Sequence, residues 1–118
     1  MWSIETTDVF DEWFEALDDI DKENVLATLL LLQQKGPQLS RPYADTVNGS
    51  KFANMKALRT QSKGNLIRSF YAFNPSRTGI LLCAGEKTGK DKRFYEQMIP
   101  VADKEFEKHL LDLKNRGE

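Results

Sequence analysis

The sequence contains one cysteine, Cys83, and one histidine, His109, among 118 residues. A single cysteine excludes a disulfide framework within the chain, and these two residues cannot form the sets of cysteines and histidines that hold zinc. Cys83 lies in an apolar run at residues 80–84, which predicts a buried, unreactive thiol. His109 lies among charged residues, which predicts a solvated ring rather than the partner of a catalytic cysteine. We therefore expect neither a metal nor a cofactor.

Long apolar runs are also absent. No run approaches the roughly 18 to 20 residues that a membrane-spanning helix needs. The first residues lack the basic segment followed by an apolar stretch that marks a secretory signal. These features predict a cytoplasmic protein that does not bind a membrane. With 40% hydrophobic and 30% charged residues, the chain has the composition of one compact domain, which we expect to span residues 1–118.

Several motifs of familiar enzymes are missing. The chain has no glycine-rich loop for a nucleotide phosphate, no histidine pair for a metal, and no serine with a histidine and carboxylate partner. Its carboxylates are concentrated early in the chain, where solvated helix faces explain them better than a paired-carboxylate glycosidase does. Most familiar enzyme classes are therefore excluded.

The charges are unevenly distributed along the chain, although the net charge is only -1. Residues 1–50 contain 10 acidic and 3 basic side chains, whereas residues 51–93 contain 10 basic and 2 acidic ones. Residues 94–118 contain 6 acidic and 4 basic side chains. This segregation predicts a surface for a polyanion within an otherwise acidic protein, or else ion pairs between the acidic and basic segments.

Hydrophobic periodicity predicts three helices. They span residues 8–17, residues 22–35, and a C-terminal segment that starts at Phe94. Thr7 or Asp8 can cap the first helix, Gly36 ends the second, and Pro100 should kink the third or begin it. The segment 18–21 should break the helical pattern between the first two.

Strands are predicted where β-branched, aromatic and other apolar residues lie between turn-forming segments. The predicted strands span residues 1–6, 52–59, 66–73 and 79–84, and residues 38–50 are predicted to be a loop. Short connections between the last three strands indicate an antiparallel meander. The order of elements predicts an α+β fold, in which an N-terminal helical hairpin packs on a small, mainly antiparallel sheet that a C-terminal helix closes.

The cations of residues 51–93 lie on predicted strands and their connecting loops, with Tyr95 close behind them. Such a set suits RNA, which can be cleaved without a metal when its own 2′-hydroxyl attacks the adjacent phosphate. The reaction needs an oriented backbone, stabilisation of the charge on the phosphorane, and proton transfer at two oxygens. Arginine provides paired donors for a phosphate, and lysine or tyrosine can transfer protons when nearby cations lower its pKa.

Short motifs in this region carry a resemblance to a known family. They follow the helix pair in the order Met55-Lys56-Ala57-Leu58-Arg59, Ile67-Arg68-Ser69-Phe70-Tyr71 and Ile80-Leu81-Leu82-Cys83-Ala84-Gly85-Glu86-Lys87. With the closing helix, this order resembles the RelE/ParE superfamily of toxin components over nearly the whole chain. The similarity is greatest to HigB-like, phage-associated members, in which an arginine followed by an aromatic pair occupies the central strand.

The resemblance implies a RelE-like fold and a ribosome-dependent endoribonuclease, an mRNA interferase that inhibits translation. It assigns catalytic roles to four residues, namely Arg68 at the scissile phosphate, Lys87 after the final strand, Tyr95 in acid-base transfer, and Lys63 as a basic loop residue. Each of them has a plain alternative role as a solvated or packing side chain. Because the basic region has no histidine, the choice of acid and base stays open among Tyr95, the lysines, Glu86 and Asp91.

The remaining cations are expected to bind RNA backbone rather than to carry out chemistry. They are Lys56, Arg59, Lys92 and Arg93. For Arg59 the sequence leaves a second possibility, an ion pair with a carboxylate at the edge of the sheet.

The resemblance also implies partners. One is a small helix-turn-helix antitoxin, which would bind promoter DNA only as part of the toxin–antitoxin complex, and the others are the message and the ribosome. Two alternatives stay open, a ParE-like inhibitor of DNA gyrase that is not an enzyme, and a non-catalytic nucleic-acid-binding regulatory module. The cations on the central strands favour RNA cleavage over the gyrase inhibitor. Loss of Arg68 separates the other alternative, because a nuclease would lose turnover sharply and a binding module would lose affinity gradually.

Overall fold

The computed structural model describes residues 1–87 and 91–117, with the backbone alone at Lys87 and Asp91. Within this part of the chain, two helices follow the first strand, four further strands come next, and a third helix comes last. The elements are β1 (Ile4–Thr6), α1 (Asp8–Glu15), α2 (Asp19–Lys35), a 3₁₀ turn (Gly36–Gln38), β2 (Ala44–Thr46), β3 (Lys56–Ser62), β4 (Asn65–Phe73), β5 (Gly79–Lys87) and α3 (Asp91–Asn115). The predicted α+β class is confirmed.

The strands form one sheet in the order β1-β5-β4-β3-β2. Neighbouring strands are antiparallel except β1, which runs parallel to β5. Lys63 and Gly64 connect β3 to β4 in a two-residue turn, with φ angles of 52° and 81°. Positive φ at both positions is what a type I′ hairpin turn requires. This turn fixes the register that places Arg59 directly opposite Arg68.

Different helices cover the two faces of the sheet. α1 and α2 pack on one face, where Val25 and Leu32 of α2 meet Leu58 of β3 in a buried cluster. α3 packs on the other face, where Phe106 belongs to the same buried cluster as Phe70 of β4. Because α3 lies mainly over β5, it leaves β3 partly uncovered on that face of the sheet.

Side-chain caps fix the starts of the first two helices. Thr7 Oγ1 accepts a hydrogen bond from Phe10 N at 3.1 Å, so Thr7 caps α1 as predicted. Asp18 caps α2 by accepting from Asp21 N at 2.9 Å. The predicted start of α2 at residue 22 is therefore wrong, because the acidic segment before it forms a cap and a first turn. α1 ends at Glu15, short of the predicted residue 17.

Other predicted boundaries also shift. The predicted loop at residues 38–50 contains β2, a three-residue edge strand that pairs with β3. β3 begins at Lys56 rather than residue 52, because the preceding segment is tied to α3. There the Asp103 carboxylate accepts hydrogen bonds from Ser50 Oγ and from Lys51 N. β5 continues to residue 87, beyond the predicted 84.

The third helix begins earlier than its apolar pattern predicts. It starts at Asp91, so Pro100 lies inside the helix and does not begin it. None of the helices in residues 1–87 and 91–117 is long and apolar enough to cross a membrane.

Candidate functional site

Two arginines lie side by side on the face of the sheet that α3 covers only in part. Arg59 on β3 and Arg68 on β4 are cross-strand partners, and residues directly opposite each other on antiparallel strands project to the same face. Arg68 is 8% exposed, and the Arg59 side chain is 30% exposed. We call Arg59 and Arg68 the arginine pair. The buried guanidinium of Arg68 and the partly buried one of Arg59 concentrate positive charge at one point of the sheet.

Arg68 is held by the first turns of α3. Its Nη1 donates a hydrogen bond to the Tyr95 hydroxyl, and its guanidinium carbon lies 5.2 Å from the centroid of the Tyr95 ring. Opposite Arg68 on β5 is Gly85, where an added Cβ would lie 3.1 Å from a ring carbon of Phe94. The missing side chain at Gly85 thus lets α3 approach the sheet closely enough for Tyr95 to reach Arg68.

The arginine pair keeps donors that no described group uses. The Nε atoms of Arg59 and Arg68 are both buried and have no hydrogen-bond partner among the described residues. A buried donor without a partner costs about 1–3 kcal/mol. Burial, followed by the charge of Arg59, lowers the pKa of Arg68, while the charge of Asp45 raises it. The guanidinium nevertheless stays protonated at neutral pH, so the site carries concentrated positive charge suited to an anion.

Arg59 also forms the ion pair that the sequence left open. Its Nη1 lies 3.5 Å from Oδ2 of Asp45, which belongs to the edge strand β2. Oδ1 of Asp45 accepts from Nε of Arg41 at 2.7 Å. The sequence pattern does not point to Asp45, because it predicts a loop at residues 38–50. One feature of the sequence does mark Asp45, because it is the only carboxylate between Glu23 and Glu86.

Two predicted site residues lie apart from the arginine pair. Lys56 Nζ donates to the carbonyl of Pro37 at 3.1 Å, just after α2. Lys63 forms ion pairs with Asp18 and, at 3.3 Å, with Asp21 at the start of α2. These hydrogen bonds raise the pKa of Lys63 and lower that of Asp18. Because α2 packs on the opposite face, the structure does not bring either lysine to the arginine pair.

The other predicted cations lie around the start of α3. Lys92 and Arg93 are exposed in its first turn, next to Tyr95 in the chain. The backbone of Lys87 ends β5 opposite Leu66, and its side chain lies outside the described residues. Among the predicted site residues, Tyr95 is thus the one that contacts Arg68. Lys92 and Arg93 lie close to it in the first turn of the same helix.

The single cysteine and the single histidine both have structural surroundings. Cys83 is 1% exposed, and burial raises the pKa of its thiol to about 12. His109 is half-buried rather than solvated as predicted. Its Nε2 lies 2.9 Å from the side-chain amide of Asn74, and its ring stacks on Phe106. In the described ranges, no group of three or more histidine, cysteine, aspartate or glutamate residues could hold a metal ion.

Residues 12–107 match the family described as phage derived protein Gp49-like, DUF891. The chain belongs to this family. A relative of this Gp49-like chain, provisionally named toxin HigB3 and from Mycobacterium tuberculosis, is 44% identical over 107 residues, 91% of this chain and 92% of the relative. A second from the same organism, provisionally named toxin HigB2, is 39% identical over 104 residues, 87% of this chain and 52% of the longer relative. No solved structure matches the chain.

These relatives confirm the resemblance to HigB-like toxins on which the sequence analysis relied. The match to the Gp49-like family begins inside α1 and ends inside α3. It therefore includes both arginines of the arginine pair, Tyr95 and Asp45. The site described above lies wholly within the segment shared with the family.

Proposed function

We propose that this Gp49-like protein is the toxin of a toxin–antitoxin pair and acts as a metal-independent endoribonuclease on ribosome-bound messenger RNA. The observation that carries the proposal is the buried Arg68, which has an unpartnered Nε, lies opposite Arg59 and donates a hydrogen bond to the Tyr95 hydroxyl. A phosphate group would supply the missing acceptor and the missing negative charge together.

The proposed reaction uses the RNA as its own nucleophile. The 2′-oxygen attacks the adjacent phosphorus and loses its proton, and the bond from phosphorus to the 5′-oxygen breaks. The products are a 2′,3′-cyclic phosphate and a 5′-hydroxyl, so the atoms balance without water. The arginine pair stabilises the charge of the phosphorane. No metal takes part in these steps, in agreement with the absence of a histidine pair from the sequence.

Tyr95 is the proposed acid. Its oxygen accepts a hydrogen bond from Arg68 Nη1, which leaves the phenolic proton available to the departing 5′-oxygen. Lys87, at the end of β5, is the proposed group that takes the 2′-proton. Lys63 is occupied by two carboxylates, and we leave it out of the reaction.

The proposal includes partners. The relatives are named as toxins, and a ribonuclease that is free in its own cell would need an inhibitor. We propose a helix-turn-helix antitoxin as that inhibitor, with promoter DNA bound only by the complex. The exposed Lys92 and Arg93 are proposed to contact RNA backbone on the ribosome.

Primer extension on a translated message, carried out with and without ribosomes, tests the proposed ribonuclease activity. The wild-type protein should cleave only when ribosomes are present. Arg68→Ala should reduce the cleavage rate at least about 100-fold, because removing one donor to a transition-state oxyanion has effects of that order. Arg77→Ala is a matched control, since Arg77 lies over the Trp2 ring, 4.9 Å from its centroid, beyond the end of β4.

The outcomes separate the alternatives. Cleavage that persists in Arg68→Ala would contradict the assigned role of the arginine pair. If a correctly folded wild-type protein does not cleave, the result would favour the gyrase inhibitor or the non-catalytic nucleic-acid-binding module. Circular dichroism and thermal unfolding of each variant show whether a loss of cleavage reflects lost structure.

A further inference from the structure

A groove lies at the edge of the sheet beyond the short strand β2. It has a volume of about 320 Å³, and its lining includes Ala27, Leu31, Pro42, Tyr43, Arg59 and Gln61. One wall is formed by α2 and the other by the segment that leads into β2. Apart from Arg59, none of these residues has a role in the reaction proposed above.

The lining combines flat apolar surface with polar edges. Tyr43 is 46% exposed, and it is the one exposed aromatic ring in the described chain. Ala27, Leu31 and Pro42 add aliphatic surface beside it. At the far side, Gln61 is exposed and carries both a donor and an acceptor, while Arg59 provides donors. This combination fits a flat ligand with apolar faces and a polar rim.

The groove is joined to the arginine pair through Arg59. Arg59 lines the groove and is also the cross-strand partner of Arg68. The main-chain N of Arg59 donates to the carbonyl of Tyr43 at 2.8 Å, which fixes the position of Tyr43 relative to the arginine pair. An RNA strand whose phosphate lies on Arg68 would thus pass beside an exposed aromatic ring.

We propose that this groove binds one unpaired nucleobase of the message, belonging to a nucleotide next to the phosphate held by the arginine pair. The proposal rests on the proposed ribonuclease function. A nucleobase has apolar faces that stack on aromatic rings and polar edges that accept hydrogen bonds from side chains such as glutamine and arginine. Arg59 is shared by the groove and the arginine pair, so an occupant attached to the bound phosphate is favoured over a protein segment.

Binding of a short single-stranded RNA tests the groove independently of cleavage. The probe carries a fluorescent label and methylated 2′-hydroxyls, so it cannot react, and binding is followed by fluorescence anisotropy. Tyr43→Ala should weaken binding by about 5- to 150-fold, the range for losing one stacked base. Tyr43→Phe keeps the ring and should bind like the wild type. Leu26→Ala is a control, because Leu26 is also exposed on α2 but does not line the groove.

Probes with a single abasic position give the decisive comparison. At one position, loss of the base should weaken binding to the wild type and leave binding to Tyr43→Ala unchanged. Equal affinities of Tyr43→Ala, Tyr43→Phe and wild type, or no binding of the probe to the wild type, would overturn the groove proposal. A Tyr43→Ala protein that binds RNA normally but loses its antitoxin would assign the groove to a protein interface instead. Cleavage on the ribosome is measured separately, so failure of the groove does not count against the ribonuclease function.

Discussion

Asp45 is expected to control the stability of the arginine pair. Its carboxylate accepts from Arg41 and lies 3.5 Å from Arg59, and its side chain is only 15% exposed. Asp45→Asn keeps the size of the side chain and removes its charge. The guanidinium groups of Arg59 and Arg68 then face each other without the nearby negative charge, so the folded state should lose stability.

The size of the loss follows from the burial of the partners. An exposed ion pair contributes about 0–1 kcal/mol, whereas breaking a fully buried pair costs about 3–5 kcal/mol. Asp45 is mostly buried, and the Arg59 side chain is 30% exposed. An intermediate loss of about 1–3 kcal/mol in the free energy of unfolding is therefore expected. For a chain of this length, that corresponds to a fall in Tm of about 4–12 °C.

Urea denaturation of a double-mutant cycle measures the effect directly. Asp45→Asn, Arg59→Gln and the double variant are compared, and the coupling energy should be at least about 1 kcal/mol. Added phosphate should raise the Tm of Asp45→Asn more than that of the wild type, because it can replace the lost negative charge. Glu12→Gln, at an exposed carboxylate on α1, is the control. Additive effects, or a loss in Asp45→Asn no greater than in Glu12→Gln, would refute the reasoning.

Two further predictions concern other parts of the molecule. The thiol of Cys83, with its pKa raised to about 12, should not react with a thiol reagent at pH 8 in the native protein and should react after unfolding in urea; rapid native labelling would contradict its burial. The Lys63–Asp18 pair lowers the pKa of Asp18 below 3.8 and raises that of Lys63 above 10.5. Its stabilisation should therefore be lost as the pH falls through the lowered pKa of Asp18 or rises through the raised pKa of Lys63. Lys63→Gln should flatten both limbs of the pH–stability curve, and curves that run parallel from pH 2 to 12 would show that the pair contributes nothing.

Local patterns predicted the elements that depend on local interactions. The apolar spacing of α1 was predicted, and Thr7 was one of its two predicted caps, because helix periodicity and capping involve residues within a few positions of each other. β2 was missed because a three-residue strand exists only through its partner, and the paired residues of β3 lie 10 to 14 positions away in the chain. The parallel contact of β1 with β5 joins distant parts of the chain and left no local signal either.

The candidate site was predictable in part from strand geometry. The turn at Lys63-Gly64 is a hairpin signal, and a two-residue turn there places residue 59 opposite residue 68. Alternation along β3 then puts Lys56 on the face opposite Arg59, so its separation from the arginine pair could have been deduced. The contacts of Tyr95 with Arg68 and of Lys63 with Asp18 could not, because they depend on how α3 and α2 cross the sheet.

The unpartnered atoms of the structure give the strongest physical argument that the arginine pair binds an anion. Four buried side-chain atoms in the described residues have no hydrogen-bond partner, and two of them are the Nε atoms of Arg59 and Arg68. The others, Ser69 Oγ and Tyr71 Oη, belong to residues on the opposite face, which α1 and α2 cover. Two cations placed side by side with unused donors raise the free energy of the folded state through both repulsion and desolvation. A bound phosphate would offset the repulsion with its negative charge and accept the unused hydrogen bonds. The same arrangement that destabilises the free protein would therefore strengthen binding of an RNA backbone.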